Sequence, residues 1–110
     1  MTMDVLRAAT RLDDDDGVER FLAGMPKSEA LRPMLKPGRT YRAEQYDKDS
    51  RTARYLLADG VWLVCFVVTD ISLEEARAIS RQTEVNAEWS TPNFHKAVQR
   101  ALGLRFVPRS

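Results

Sequence analysis

The run Val61-Trp-Leu-Val-Cys-Phe-Val-Val-Thr69 carries no charge, and within it only Leu63 favours a helix. β-Branched and aromatic side chains crowd the preceding turn of a helix but fit a pleated sheet, so the run predicts a strand. Asp59-Gly60 stands directly before it, and this dipeptide tolerates the positive φ angles of a two-residue type I′ turn. The run is therefore read as the second half of a hairpin. Alternate residues of a strand point to opposite faces, which puts Trp62, Val64, Phe66 and Val68 on one side and Val61, Leu63, Cys65 and Val67 on the other. Both sides are apolar, so the strand should be central and covered twice.

Two partners precede it, Thr40 to Asp47 and Thr52 to Ala58. With Asp59-Gly60 as the turn, Leu57 faces Trp62, Tyr55 faces Val64 and Ala53 faces Phe66. A three-residue loop at 48–50 would set Tyr41 opposite Leu57 and Ala43 opposite Tyr55. An even-numbered loop drives Arg42 and Glu44 onto that face instead, so an odd-numbered loop is expected.

The remaining segments read as helices. Val5, Leu6, Ala9 and Leu12 draw one stripe down a short helix over 4–12. Asp16, with Glu19 three residues on, resembles a capping box opening a second helix over about 17–23, which Gly24 and Pro26 stop. Pro33, Pro37 and Gly38 allow one helical turn around 28–32, pinned by Leu31, Met34 and Leu35. Ser72-Leu-Glu-Glu75 is a capping box for a helix to about Gln82. Thr91 as N-cap and Pro92 at the first helical position open a last helix with Phe94, Ala97, Val98, Ala101 and Leu102 on its apolar stripe, and Gly103-Leu104 resembles a Schellman ending. The expected fold class is α+β: a three-stranded antiparallel meander sheet with N-terminal and C-terminal helices packed on it, four-stranded if Leu104 to Val107 adds an edge strand before Pro108.

A chain of 110 residues suits one domain spanning 1–110. Its 17 basic and 16 acidic residues nearly cancel, so no global field draws it to nucleic acid or an anionic membrane. One cysteine, Cys65, excludes an intrachain disulfide and a cysteine-based metal cluster, and suits a reducing cytoplasm. No apolar run approaches the roughly 20 residues that span a bilayer, and the first residues lack the pattern of a secretion signal, so a soluble, cytoplasmic protein is expected.

No phosphate cradle, zinc pattern or nucleophile elbow is present, and no enzymatic activity, catalytic residue, cofactor or metal is expected. Cys65 in the middle of an apolar strand is a small hydrophobe before it is a nucleophile. His95, the one histidine, has no Ser or Cys with a paired carboxylate near it in any motif. Asp13 to Asp16 lacks the alternate spacing and central glycine of a calcium loop and reads as a solvated capping run. Trp89, in a connection, either anchors a partner or lids the core beside Phe94.

The functional expectation is a small protein-binding module, of inhibitor, immunity or regulatory type, or a self-associating subunit forming a homodimer. Its contact surface would be the second apolar face and nearby polar groups: Leu56, Leu63, Arg54, Trp89 and His95. The alternatives are an enzyme without a recognisable motif and a nucleic-acid-binding domain. For the latter, the order strand, strand, strand, helix over Tyr41 to Ile79, with Val61-Trp-Leu and Leu73-Glu-Glu-Ala-Arg-Ala, resembles the plant and phage-integrase arm-type DNA-binding domains. That resemblance implies a sheet entering the major groove, with Arg51 and Arg54 as its basic contacts.

Overall fold

A computed structural model describes residues 3–23, 25, 28–84 and 89–107, the side chain of Leu104 excepted. Gly24 and Pro26, the connection at 85–88, and Pro108 lie outside the described residues. The fold is α+β, with four strands and four helices: β1 (Val5–Arg11), α1 (Asp15–Leu22), α2 (Ser28–Leu31), β2 (Tyr41–Asp47), β3 (Thr52–Asp59), β4 (Trp62–Val68), α3 (Leu73–Thr83) and α4 (Thr91–Leu102), with short 3₁₀ turns at Arg32–Met34 and Gly103–Arg105. The strands form one antiparallel sheet in the order β1-β4-β3-β2. The run at 61–69 is thus a central strand, as its composition requires.

The fourth strand is not the tail. Residues 103–105 are a 3₁₀ turn, and the additional strand is β1, the segment whose spacing suggested a helix. The stripe Val5, Leu6, Ala9, Leu12 competes with the period-two set Leu6, Ala8, Thr10, Leu12, and pairing with β4 decides for the second. The amide of Leu12 donates to the carbonyl of Val61 (2.7 Å), and that of Thr69 to the carbonyl of Asp4 (3.0 Å).

Two compact units divide the chain: residues 5–45 with 54–67, and residues 1–4 with 46–53 and 68–110. In the first, Leu12, Leu22, Met25, Leu31, Leu35, Leu56, Ala58, Leu63 and Cys65 form one buried cluster, with Val18, Phe21, Tyr41, Ala43 and Val67 packed against it. Each such leucine withdrawn from water contributes about 2 kcal/mol. α1 is capped by Asp14, not Asp16: its carboxylate accepts the amide of Gly17 at 3.1 Å. A Cβ at Gly17 would stand 2.0 Å from the Thr10 hydroxyl oxygen, so the absence of a side chain lets α1 sit directly on β1.

Membership of this cluster corrects the register expected for β2. The loop to β3 has four residues, 48–51, an even number, and Tyr41 and Ala43 accordingly join Leu56 and Ala58 rather than Tyr55 and Leu57. The inversion is tolerated because β2 is an edge strand, where Glu44 stays exposed and Arg42 half-exposed. At the other hairpin the turn residues are Gly60 and Val61, one position later than expected. Only Gly60, at φ +61°, is positive there, which is the φ pattern of a II′ turn and not I′. With Asp59 and Trp62 flanking the turn, the pairing slips by two residues; a slip of two keeps every side chain on its face.

In the second unit α3 packs against α4. α3 opens with the expected capping box: the Ser72 hydroxyl accepts the Glu75 amide (3.1 Å) and the Glu75 carboxylate accepts the Ser72 amide (2.9 Å). α4 is capped by Ser90, one residue before the expected Thr91, with Pro92 still in the first turn, and it ends at Gly103 with φ +64°. Ala76, Ile79, Phe94, Ala97 and Val98 are buried. No helix among the described residues is long and apolar enough to cross a membrane.

Candidate functional site

The residues expected to meet a partner are mostly withdrawn from the surface. Leu56 and Leu63 are 1% and 0% exposed, inside the cluster that α1 and α2 help to close. Trp89 is 5% exposed, its ring 5.9 Å from that of Phe94 at 59°, in the lidding position. His95 is half-buried, edge-on to Phe106 at 5.4 Å. Arg54 is half-buried in β3, on the strand face shared with Cys65. Burial pushes the Cys65 thiol up to about 11, against an opposing pull from Arg54, so this sulfur is held protonated. Among the described residues no three His, Cys, Asp or Glu side chains gather in a metal-binding group.

Of the large apolar side chains that are exposed among the described residues, Leu73 and Val107 lie in the second unit, and Leu6, Val61 and Trp62 lie together along β1 and the start of β4. Trp62, expected in the core, is 48% exposed, and Leu6 is 61% exposed. The Leu12–Val61 bond sets the β1–β4 register so that Arg11 stands opposite Trp62, and the Arg11 guanidinium carbon lies 5.7 Å from the indole centroid. Asp13 also holds that guanidinium, accepting from Nε at 3.0 Å and from a terminal nitrogen at 2.9 Å. The same bond, with the Arg11 charge, holds the Asp13 carboxyl below its ordinary range. Arg7, two pairs along on the face of Arg11, is exposed and makes no ion pair with a described residue.

The register also decides where the backbone points. In an antiparallel ladder, alternate residues give both their N–H and C=O to one neighbour. Leu12 and Asp4 bond to β4, so the even-numbered residues 6, 8 and 10 do likewise, and Val5, Arg7, Ala9 and Arg11 turn theirs to the open edge. Edge strands are normally blunted by proline, a bulge or inward charge. β1 has no proline, and Ala8 and Ala9 leave its middle low and accessible.

In the second unit a charged clamp joins the start of α3 to the 3₁₀ turn that follows α4. Arg105 bonds the Glu75 carboxylate and donates to the carbonyl of Asp70 (2.9 Å). Asp70 pairs with Arg51 at 3.7 Å, the Ile71 amide donates to the Arg51 carbonyl (3.1 Å), and the Tyr46 hydroxyl donates to the Ile71 carbonyl (2.8 Å). Burial pushes the Glu75 carboxyl up, but the bonds from Ser72 and Arg105 outweigh it and leave the group below its ordinary range. Arg51, a residue expected to meet nucleic acid, is thus engaged with Asp70.

The edge residues escape notice in the sequence because a seven-residue segment with two alanines satisfies helical and strand spacing equally. The signal that finds them is the alternation Leu6, Ala8, Thr10, Leu12 directly before a capping aspartate. No protein-family model, curated protein or solved structure matches the chain.

Proposed function

We propose that the protein is a protein-binding module that receives an extended segment of another polypeptide along the outer edge of β1, with Trp62 as its aromatic anchor. The observation that carries this reading is the open edge: four residues of β1 direct their backbone groups outward, beside an indole that is 48% exposed. Main-chain hydrogen bonds from such an edge give affinity to an added strand, and flanking side chains give selectivity. Trp and Arg are the residue types most enriched at interface hot spots, and both stand here.

The test exploits the direction of the backbone. Proline at Ala9 removes an outward N–H and spares the β4 ladder. Peptides selected from a random displayed library on the wild-type protein are then measured against Ala9→Pro and against Leu6→Lys, each checked for the wild-type circular dichroism spectrum. Loss of binding in Ala9→Pro supports edge pairing. Binding to Ala9→Pro as tight as to the wild type, or a library that yields no binder, overturns it.

A further inference from the structure

Resting on that edge reading, we infer that the accepted segment alternates acidic and apolar residues, its acids lying over Arg7 and Arg11 and its apolar side chains over Leu6 and Ala8. The two faces of β1 differ in chemistry. Arg7, Ala9 and Arg11 share the face of Trp62, whereas Leu6 and Ala8 share the other, where Leu6 is 61% exposed. An added strand lays its own alternate side chains over these two lanes. On the arginine lane, Ala9 is a gap between two cations, one of which, Arg7, has no ion pair with a described residue, and β1 itself contains no acid. Arg11 lies over the Trp62 ring and is paired with Asp13 through an exposed bond, which an incoming carboxylate can share or replace at little cost. On the other lane, an apolar side chain over Ala8 covers the flank of Leu6.

The same pattern disfavours a second copy of this chain. Antiparallel pairing of β1 with itself, centred on Ala8, brings Arg7 diagonally beside Arg7 of the mate, and like charges at such positions repel. The occupant is therefore a different polypeptide with acidic alternation.

Two labelled decapeptides test this, one alternating Glu and Val and one alternating Lys and Val, by fluorescence anisotropy at low and at high salt. The expected result is binding about tenfold tighter for the Glu peptide at low salt, with the advantage shrinking in Arg7→Gln and at high salt, where exposed charges are screened. Equal or tighter binding of the Lys peptide, still lost in Ala9→Pro, overturns the acidic-segment inference alone. Binding of neither peptide, or binding indifferent to Ala9→Pro, overturns both this inference and the edge reading. A concentration-dependent dimer by light scattering, abolished by Ala9→Pro, overturns the choice of occupant.

Discussion

Arg51 and Asp70 both sit at positive φ, 52° and 58°, and their side chains meet as an ion pair of 3.7 Å. They are the non-glycine residues among those described that adopt this conformation, and they are bonded through one clamp, since the Ile71 amide donates to the Arg51 carbonyl. A left-handed residue with a Cβ costs roughly 1–2 kcal/mol, which a single long, partly exposed ion pair does not recover. Arg51→Gly removes the steric cost and gives back part of it as unfolded-state entropy. It is expected to leave stability unchanged or raise it by up to about 1 kcal/mol, while the β-branched Arg51→Val lowers it by about 1–2 kcal/mol. Urea unfolding midpoints measure both.

Gly17 and Thr10 give a prediction of the opposite sign. Glycine in a helix is ordinarily improved by alanine, by about 1 kcal/mol. Here the added methyl would stand 2.0 Å from the Thr10 oxygen and 3.1 Å from its Cβ, and Thr10 is itself buried. Gly17→Ala should therefore destabilise by about 1–3 kcal/mol, the cost of overpacking. Thr10→Ala, which clears the oxygen, should recover most of that loss. Thermal unfolding of the two single variants and the double variant closes the cycle.

The pattern in the amino-acid sequence specifies some elements of this fold and leaves others open. The centre was readable, because the run at 61–69 has no competing pattern, and the Ser72 capping box defines its helix by two reciprocal bonds. β1 was not, because Val5 to Arg11 satisfies both periods and only its pairing with β4 separates them. The β2 register turned on a single loop residue: Arg51 accepts a left-handed conformation that nothing in its side chain advertises, and the loop becomes even. The exchange of roles between the two tryptophans follows. Trp62 lies at the end of β4 beside a low edge strand and stays exposed, whereas Trp89, flanked by polar residues in sequence, is enclosed on Phe94.

That exchange can be measured directly. Acrylamide should quench Trp62 readily and Trp89 weakly, since the two are 48% and 5% exposed. Trp62→Phe is expected to leave a blue-shifted, poorly quenched emission that changes only on unfolding. The quenchable component lost in that variant is the one that should respond to a bound segment. An emission from Trp62→Phe as accessible as that of the wild type would contradict the placement of both rings.

Cys65 carries a pH dependence whose sign follows from its burial. Burial, opposed in part by Arg54, raises the folded-state thiol from 9.0 to about 11, so the folded chain keeps a proton that the unfolded chain releases. The stabilisation is fully present below about pH 9 and is lost as pH rises towards 11, at up to about 1.4 kcal/mol for each unit. Unfolding free energies at pH 8.5, 9.5 and 10.5 should fall more steeply in the wild type than in Cys65→Ala. Alkylation of the native protein at pH 8 should likewise be slow, since the reactive form is the thiolate.

Proline placed at two neighbouring positions of β1 separates the ladder from the open edge. The Leu12 to Val61 bond fixes even-numbered residues as those that face β4, so the Ala8 amide belongs to the ladder and the Ala9 amide does not. Ala8→Pro removes a hydrogen bond and leaves a β4 carbonyl short of its donor, at a cost of about 2 kcal/mol or more. Ala9→Pro loses no backbone bond to a described residue, and its restricted φ is compatible with an edge position, so the expected cost is below about 1 kcal/mol. Both side chains are small and exposed, which removes packing as a rival cause. Urea midpoints and native-state amide exchange across β4 read the difference: faster exchange of the Cys65 and Val67 amides, which face β1, in Ala8→Pro, and wild-type protection in Ala9→Pro. Equal destabilisation by the two prolines would mean that the backbone of β1 alternates differently, and the outward-facing edge on which strand addition depends would be lost with it.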